Sequence, residues 1–114
     1  MISHISGDLF TTVSSIKKPI LAHSCNCLGF WGGGIALQFK KHYPAAFKKY
    51  ESHCLNSINP GDLLGTCLII PQNDCIIACL FTSIDGSPDI EGIIKNTKLA
   101  MVDLQLKCHS NHQI

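Results

Sequence analysis

Between His23 and Ala36 the chain reads HSCNCLGFWGGGIA, which sets two cysteines, an asparagine, four glycines and the only tryptophan side by side. Gly29, Gly32, Gly33 and Gly34 separate an apolar, strand-like run from an amphipathic, helix-like one. Glycine admits positive φ and lets a ligand approach the backbone closely. Successive N–H groups in such a loop form an anion-binding concavity, and a helix after it adds the positive end of its dipole. The ligand this chemistry suits is a phosphate or diphosphate; the alternative is a glycine turn that only lets strand and helix pack closely.

Neither of two standard phosphate loops is present. A P-loop needs G-K-[ST] where Gly34 is followed by Ile35. GFWGGG has the wrong order for a dinucleotide fingerprint, and Glu51, near the right distance for its acidic partner, falls inside a helical pattern. Asn26 closes the apolar run and belongs at the carboxyl end of a strand, where open α/β sheets bind ligands. Its amide can both donate to and accept from a sugar hydroxyl or a water. Trp31 offers a flat face for a sugar ring or base, or else a hydrophobic lid over the loop.

Other arrangements are weaker. Cys25 and Cys27 flank Asn26, but cysteine phosphatases hold phosphate with an arginine, and all nine basic residues here are lysines. Any phosphate must be held by lysine or by backbone N–H groups. Cys-x-Cys with His4 or His23 lacks the paired C-x2-C spacing of common structural zinc sites, so no metal and no cofactor is expected. The doublets Lys17-Lys18, Lys40-Lys41 and Lys48-Lys49 read as solvated faces rather than a nucleic-acid patch.

The elements that must hold the loop emerge from periodicity. KKPILAHSCN reads as a buried strand with Pro19 at its start. Ile35, Phe39, Tyr43, Phe47, Tyr50 and Cys54 have helical spacing, which Pro44 interrupts, so one helix should end near His42 and a second begin at Pro44. NPGD, from Asn59, is a turn signal. LLGTCLIIP and CIIACLFTS are almost wholly apolar and read as central strands covered on both faces, with QND as a tight connection. Ser87 can cap a last helix, with Pro88 in its first turn and a stripe of Ile90, Ile93, Ile94, Thr97, Met101, Leu104 and Cys108. MISHIS carries a modest strand signal, and HSNHQI is a polar tail. Strands alternating with helices predict an α/β fold, a sheet with helices on both faces.

At 114 residues and 46% apolar content the chain fits one globular domain, residues 1–114. A net charge of +1 provides no global field for nucleic acid or anionic lipid. No apolar run reaches the roughly 20 residues that span a bilayer, and MISHISGDLF lacks a secretory pattern. The seven cysteines are expected to be reduced thiols of a cytosolic or nuclear protein, with Cys67, Cys75 and Cys79 acting as small buried hydrophobes.

GDLF near the start, a strand ending HSCN, and GFWGGGIALQFKKHYPAAFKKYESHC together resemble a macro domain, in its fungal phosphatase branch. The likeness covers roughly residues 2–105. It implies a three-layer α/β/α fold around a central mixed sheet, and an ADP-ribose derivative as the small-molecule partner. It implies that Asp8, with Gly7 and Leu9 beside it, receives the adenine amino group. Asn26 would contact the distal ribose near the reacting carbon. Gly32, Gly33, Gly34, Ile35 and Ala36 would surround the distal ribose and diphosphate, with Trp31 in the same loop. His23, Ser24 and Cys25 would line the strand leading in. The family pattern continues with a second loop, S-x-G-x-[FY]-G, which no residues after Leu106 match, so the fold is expected to be incomplete at its C-terminal side.

The activity implied is hydrolysis of the phosphate monoester of ADP-ribose 1''-phosphate, giving ADP-ribose and phosphate. Loop N–H groups would stabilise charge on the phosphoryl oxygens. His23 is the general acid or base nearest the motif, unless it is a buried histidine bonded to backbone. Asp85 and Asp89 are further acidic candidates that read more simply as turn and cap residues. The alternatives are an ADP-ribose-binding module without turnover, a hydrolase that removes ADP-ribose from proteins, and a shortened, inactive product.

Overall fold

The computed structural model describes residues 19–85 and 89–111, with side chains through Cys108. MISHIS, His4, Gly7, Asp8, Leu9, and the Ser87 and Pro88 cap lie outside the described residues. The run after Pro19 forms β1 (Ile20–Asn26), and the two later apolar runs form β2 (Cys67–Pro71) and β3 (Ile76–Ser83). The helices are α1 (Gly34–His42), α2 (Pro44–Leu55) and α3 (Ile90–Asn111). The α1–α2 break falls at Tyr43, whose φ of −133° and ψ of 66° are non-helical. A residue before proline avoids the α region, whereas Pro44 itself suits a first helical turn. NPGD becomes a 3-10 turn (Pro60–Leu63), with the Asn59 side chain accepting from the Gly61 N–H.

The strands lie in the order β1-β3-β2; β1 runs parallel to β3, and β2 antiparallel to it. The sheet is therefore mixed. QND is the tight connection read from the sequence, closed by the Gln72 N–H donating to the Cys75 carbonyl at 2.8 Å. Of the two runs read as central strands, only β3 is one. Its residues from Ile76 to Thr82 are all buried, whereas β2 stands at the edge of the described sheet and leaves Leu68 and Ile69 half-buried.

Strand alternation divides the core in two. Leu21, Cys25, Ile77, Cys79 and Phe81 face α1 and α2, meeting Phe39, Ala46, Tyr50 and Cys54. Ile20, Cys67, Ile76, Ala78 and Leu80 face α3, meeting Ala100 and Leu104. Cys67, Cys75 and Cys79 are fully buried and not disulfide-bonded, as their apolar surroundings suggested. The α3 stripe is narrower than its sequence pattern: Ile90 and Ile94 are 73% and 51% exposed. The helix meets the sheet through Ala100, Met101, Leu104 and Cys108, and its first turns lie beyond that contact. Asp89 begins the helix, its Oδ1 accepting from the Gly92 N–H at 3.3 Å.

The edge strand β2 is tied down by α3 side chains. The Cys67 N–H donates to Asp103 Oδ2 at 2.8 Å, Lys107 Nζ sits 2.8 Å from the same oxygen, and Lys107 also donates to the Cys67 carbonyl. Both backbone groups of a buried edge residue thus find charged partners, which keeps them from offering themselves to another strand. Asp103→Ala is expected to cost about 1–2 kcal/mol, because it orphans a buried N–H that had a charged acceptor. Chemical denaturation of the variant and the parent measures this directly. Among the described residues no helix is long and apolar enough to cross a membrane.

Candidate functional site

At the carboxyl end of β1 the backbone leaves the sheet through Asn26. The regular β1–β3 register breaks there, pairing Asn26 with Ser83 rather than Thr82. The Cys27 N–H then donates to the Ile84 carbonyl at 2.9 Å, so the ends of the two strands stay together. Asn26 organises the turn that leads into the glycines. Its Oδ1 accepts from the N–H groups of Leu28 (3.0 Å) and Phe30 (3.2 Å), and its Nδ2 donates to the Phe30 carbonyl at 2.7 Å. Such a turn requires a residue at φ +89°, and Gly29 supplies it.

The chain then enters α1. Gly33 is extended and carries no side chain to cap the helix, and Gly34 has φ +57°. Among the described residues no side chain caps α1, whose first-turn N–H groups form the positive end of the helix dipole. Gly32, Gly33, Gly34 and Ile35 are exposed and Ala36 is half-buried. A Cβ built on Gly32 or Gly33 would meet no atom within 4 Å. Packing among the described residues therefore does not demand glycine at these two positions.

Three residues read as site residues lie elsewhere. Trp31 is 1% exposed and stacks on Tyr50, with ring centroids 4.8 Å apart and an interplanar angle of 19°. Its flat face is occupied by protein, so it anchors the loop from below and offers no surface to a sugar or base. His23 is also buried. Its ring stacks on Phe39 at 4.1 Å and meets the Trp31 ring edge-on at 4.9 Å. It cannot touch a phosphate in the loop, because β1 alternation turns it to the α1 and α2 side of the sheet. Cys25 shares that face and is 4% exposed. Ser24 is exposed on the opposite face. Phe30, which the sequence did not single out, is the aromatic the loop presents outward, at 64% exposure.

His23, Cys25 and Cys79 bring one possible ligand atom each to within 4.8 Å of one another. Cys25 Sγ is almost equidistant from His23 Nδ1 (3.6 Å) and Nε2 (3.7 Å). That equality puts the sulfur over the ring face, whereas a shared metal would need it beside an in-plane nitrogen lone pair. The trio is packed as core. Burial pushes the Cys25 thiol up, but its hydrogen bond with Cys79, helped by the neighbouring His23, outweighs this and holds it below an ordinary thiol, while pushing Cys79 up. Burial pushes Cys27 and Cys54 up to about 11, leaving neutral thiols.

The residue sequence reasoning missed is Tyr50. It sits in the apolar stripe of α2 and is fully buried, yet its hydroxyl donates to the Asn26 carbonyl (2.7 Å) and lies 3.0 Å from Asn26 Oδ1. The only available signal was that a buried tyrosine hydroxyl needs a partner. Burial pushes its pKa far up, so it remains a donor. Beyond Ser83 lies a cavity of about 210 Å³ lined by Thr82, Ser83, Asp85, Asp89, Ile93 and Asn96, among others. It is smaller than the roughly 300–1,000 Å³ pockets that enclose whole ligands. Asp85 and Asp89 border it, with Asp89 engaged as the helix cap.

The comparisons with known proteins agree with this arrangement. A model of the Macro domain family matches residues 22–107. The ADP-ribose 1''-phosphate phosphatase of Candida albicans is 46% identical over 110 residues, which cover 94% of this chain and 68% of that protein. The macrodomain of Mycobacterium tuberculosis DarG superposes with a TM-score of 0.72 at 27% identity, covering 98% of this chain and 70% of that one. Thermosipho africanus DarTG, solved in complex with ADP-ribose, gives 0.64 at 16% identity, over 93% of this chain and 30% of that one. A glycine loop leaving a mixed sheet at an asparagine, the family match across most of the residues, and the identity to a full-length relative all lead to one assignment: this chain belongs to the Macro domain family.

Proposed function

We propose that this chain is an ADP-ribose 1''-phosphate phosphatase, hydrolysing the distal-ribose monoester to ADP-ribose and phosphate. The observation that carries the reading is the 46% identity to a phosphatase of that substrate along 94% of the chain. The exposed loop of Gly32 to Gly34, which no described side chain caps, supports it, since backbone N–H groups at a helix start are donors for phosphoryl oxygens. In this reading residues 1–114 form one macro-like domain of three layers. Asp8, with Gly7 and Leu9, holds the adenine. Asn26 lies against the distal ribose, and Gly32, Gly33, Gly34, Ile35 and Ala36 wrap the ribose and diphosphate, with Ser24 on the approach. His23, Cys25 and Trp31 support the loop from the core.

Phosphate monoesters hydrolyse so slowly in water that positioning and electrostatic stabilisation must supply most of the acceleration. Backbone N–H donors are suited to this because they are held in place before the reaction starts. Binding of ADP-ribose without turnover is the second reading, favoured by the burial of His23, which leaves the loop without that general base. Phosphate release from ADP-ribose 1''-phosphate, with calorimetric titration of ADP-ribose in parallel, separates the two. Turnover supports the phosphatase; saturable binding with no phosphate released would replace it with the binding module.

A further inference from the structure

The Asn26 amide is the most heavily used side-chain group near the loop. Its Oδ1 accepts from the Leu28 and Phe30 N–H groups, and Tyr50 Oη stands 3.0 Å away with its proton shared toward Oδ1 and the Asn26 carbonyl. Donors crowd that atom, so it must be the oxygen, and Nδ2 must be the end facing the Phe30 carbonyl. Nδ2 has two hydrogens, and the Phe30 carbonyl takes one. Tyr50 comes from α2, twenty-four residues away, and is the one tie in this network that does not belong to the turn itself. Its ring also stacks on Trp31, at 4.8 Å, and on Phe81 of β3, at 6.1 Å. The ring contacts fix where the hydroxyl stands, and the residue meets both ends of the turn, its hydroxyl at Asn26 and its ring at Trp31.

We propose that Tyr50 is a positioning residue of this site: its hydroxyl fixes the orientation of the Asn26 amide, and through Asn26 the course of the loop into Gly32–Gly34. This rests on the phosphatase reading for its consequence in turnover, and on the hydrogen bonds alone for its structural part. Tyr50 does not touch substrate. It decides which way the remaining Nδ2 hydrogen of Asn26 points and how far Phe30 and the glycines stand from the sheet.

Tyr50→Phe removes the hydroxyl and keeps both ring stacks, so the variant retains the core. The test is a double-mutant cycle with Asn26→Ala, read as kcat and KM for ADP-ribose 1''-phosphate. Tyr50→Phe alone is expected to lower kcat about tenfold with KM within about threefold, and to have almost no further effect once Asn26 is alanine. A merely structural tyrosine would lower both backgrounds equally; additive effects, or parental turnover in Tyr50→Phe, overturn the proposal. A second measurement uses no ligand. Hydrogen exchange of the Leu28 and Phe30 N–H groups and of the Asn26 side-chain amide, tracked by NMR, should quicken at least about fivefold in Tyr50→Phe, with exchange in β3 unchanged. Unchanged exchange at Asn26, Leu28 and Phe30 overturns it. If the parent chain shows no turnover, the phosphatase reading fails and the exchange result alone decides the role of Tyr50.

Discussion

Asn26→Ala is expected to lower phosphate release from ADP-ribose 1''-phosphate by about 10²–10³-fold, the loss seen when one donor to a developing charge is removed from a preorganised site. Two effects combine. The Nδ2 donor that the proposed function places against the distal ribose disappears, and the turn that leads into the glycine loop loses its Oδ1 acceptor and its bond to the Phe30 carbonyl. The N–H groups of Leu28 and Phe30 must then find water, which the exposed Phe30 permits. Stability should fall by only about 1–2 kcal/mol, because the lost bonds lie at a partly wetted turn. Steady-state turnover and thermal melting on the same preparation separate these effects. A variant that melts normally and still turns over at the parental rate would remove Asn26 from the site.

Gly33→Asp should give two effects of opposite sign. Gly33 is extended, with φ −153° and ψ 163°, which any residue adopts, and it precedes α1 without a capping side chain. A Cβ there meets no atom within 4 Å. Aspartate is among the preferred N-cap residues, so melting should be unchanged or raised, by a few tenths of a kcal/mol relative to glycine. The same carboxylate would satisfy the first-turn N–H groups and place a negative charge where the proposed function puts the diphosphate. Affinity for ADP-ribose should fall by at least about a hundredfold, since a desolvated like charge facing the ligand costs several kcal/mol. Titration calorimetry beside a melting curve checks both halves. Retained affinity would mean that the helix N-terminus is not the anion site, and a large drop in melting temperature would mean that the glycine serves packing.

The contrast between Gly33 and Gly29 marks the limit of the motif. Both belong to one glycine-rich stretch. Gly29 is buried at φ +89° and shapes the turn around Asn26, whereas Gly33 stands in extended backbone with open space before it. Nothing in HSCNCLGFWGGGIA distinguishes a glycine needed for its dihedral angle from one needed for its emptiness. That distinction depends on which neighbours the rest of the chain brings up.

Local signals behaved differently. The strand ending at Asn26, the helix from Gly34 to His42 and the restart at Pro44 were legible because they depend on periodicity, proline and glycine, all properties of neighbouring residues. A sheet with helices on both faces is the arrangement that apolar runs alternating with amphipathic ones predict, whereas its mixed strand directions were implied only by the resemblance. The loop's motif also carried the family, because its residue types and spacing are written in the chain itself.

The roles of individual side chains were settled by long-range contacts. Trp31 and His23, which the sequence left open between ligand-facing and buried roles, are core, since α2 brings Tyr50 over one and α1 brings Phe39 over the other. Tyr50 looked like core and reaches Asn26 from twenty-four residues away. In the described sheet β3 is central and β2 stands at an edge although it is nearly as apolar, because pairing order is not encoded in hydropathy. Residue order alone was enough for the described elements and the family; burial and hydrogen-bond partners required the folded chain, because a side chain's environment is set by whatever distant segment is placed against it.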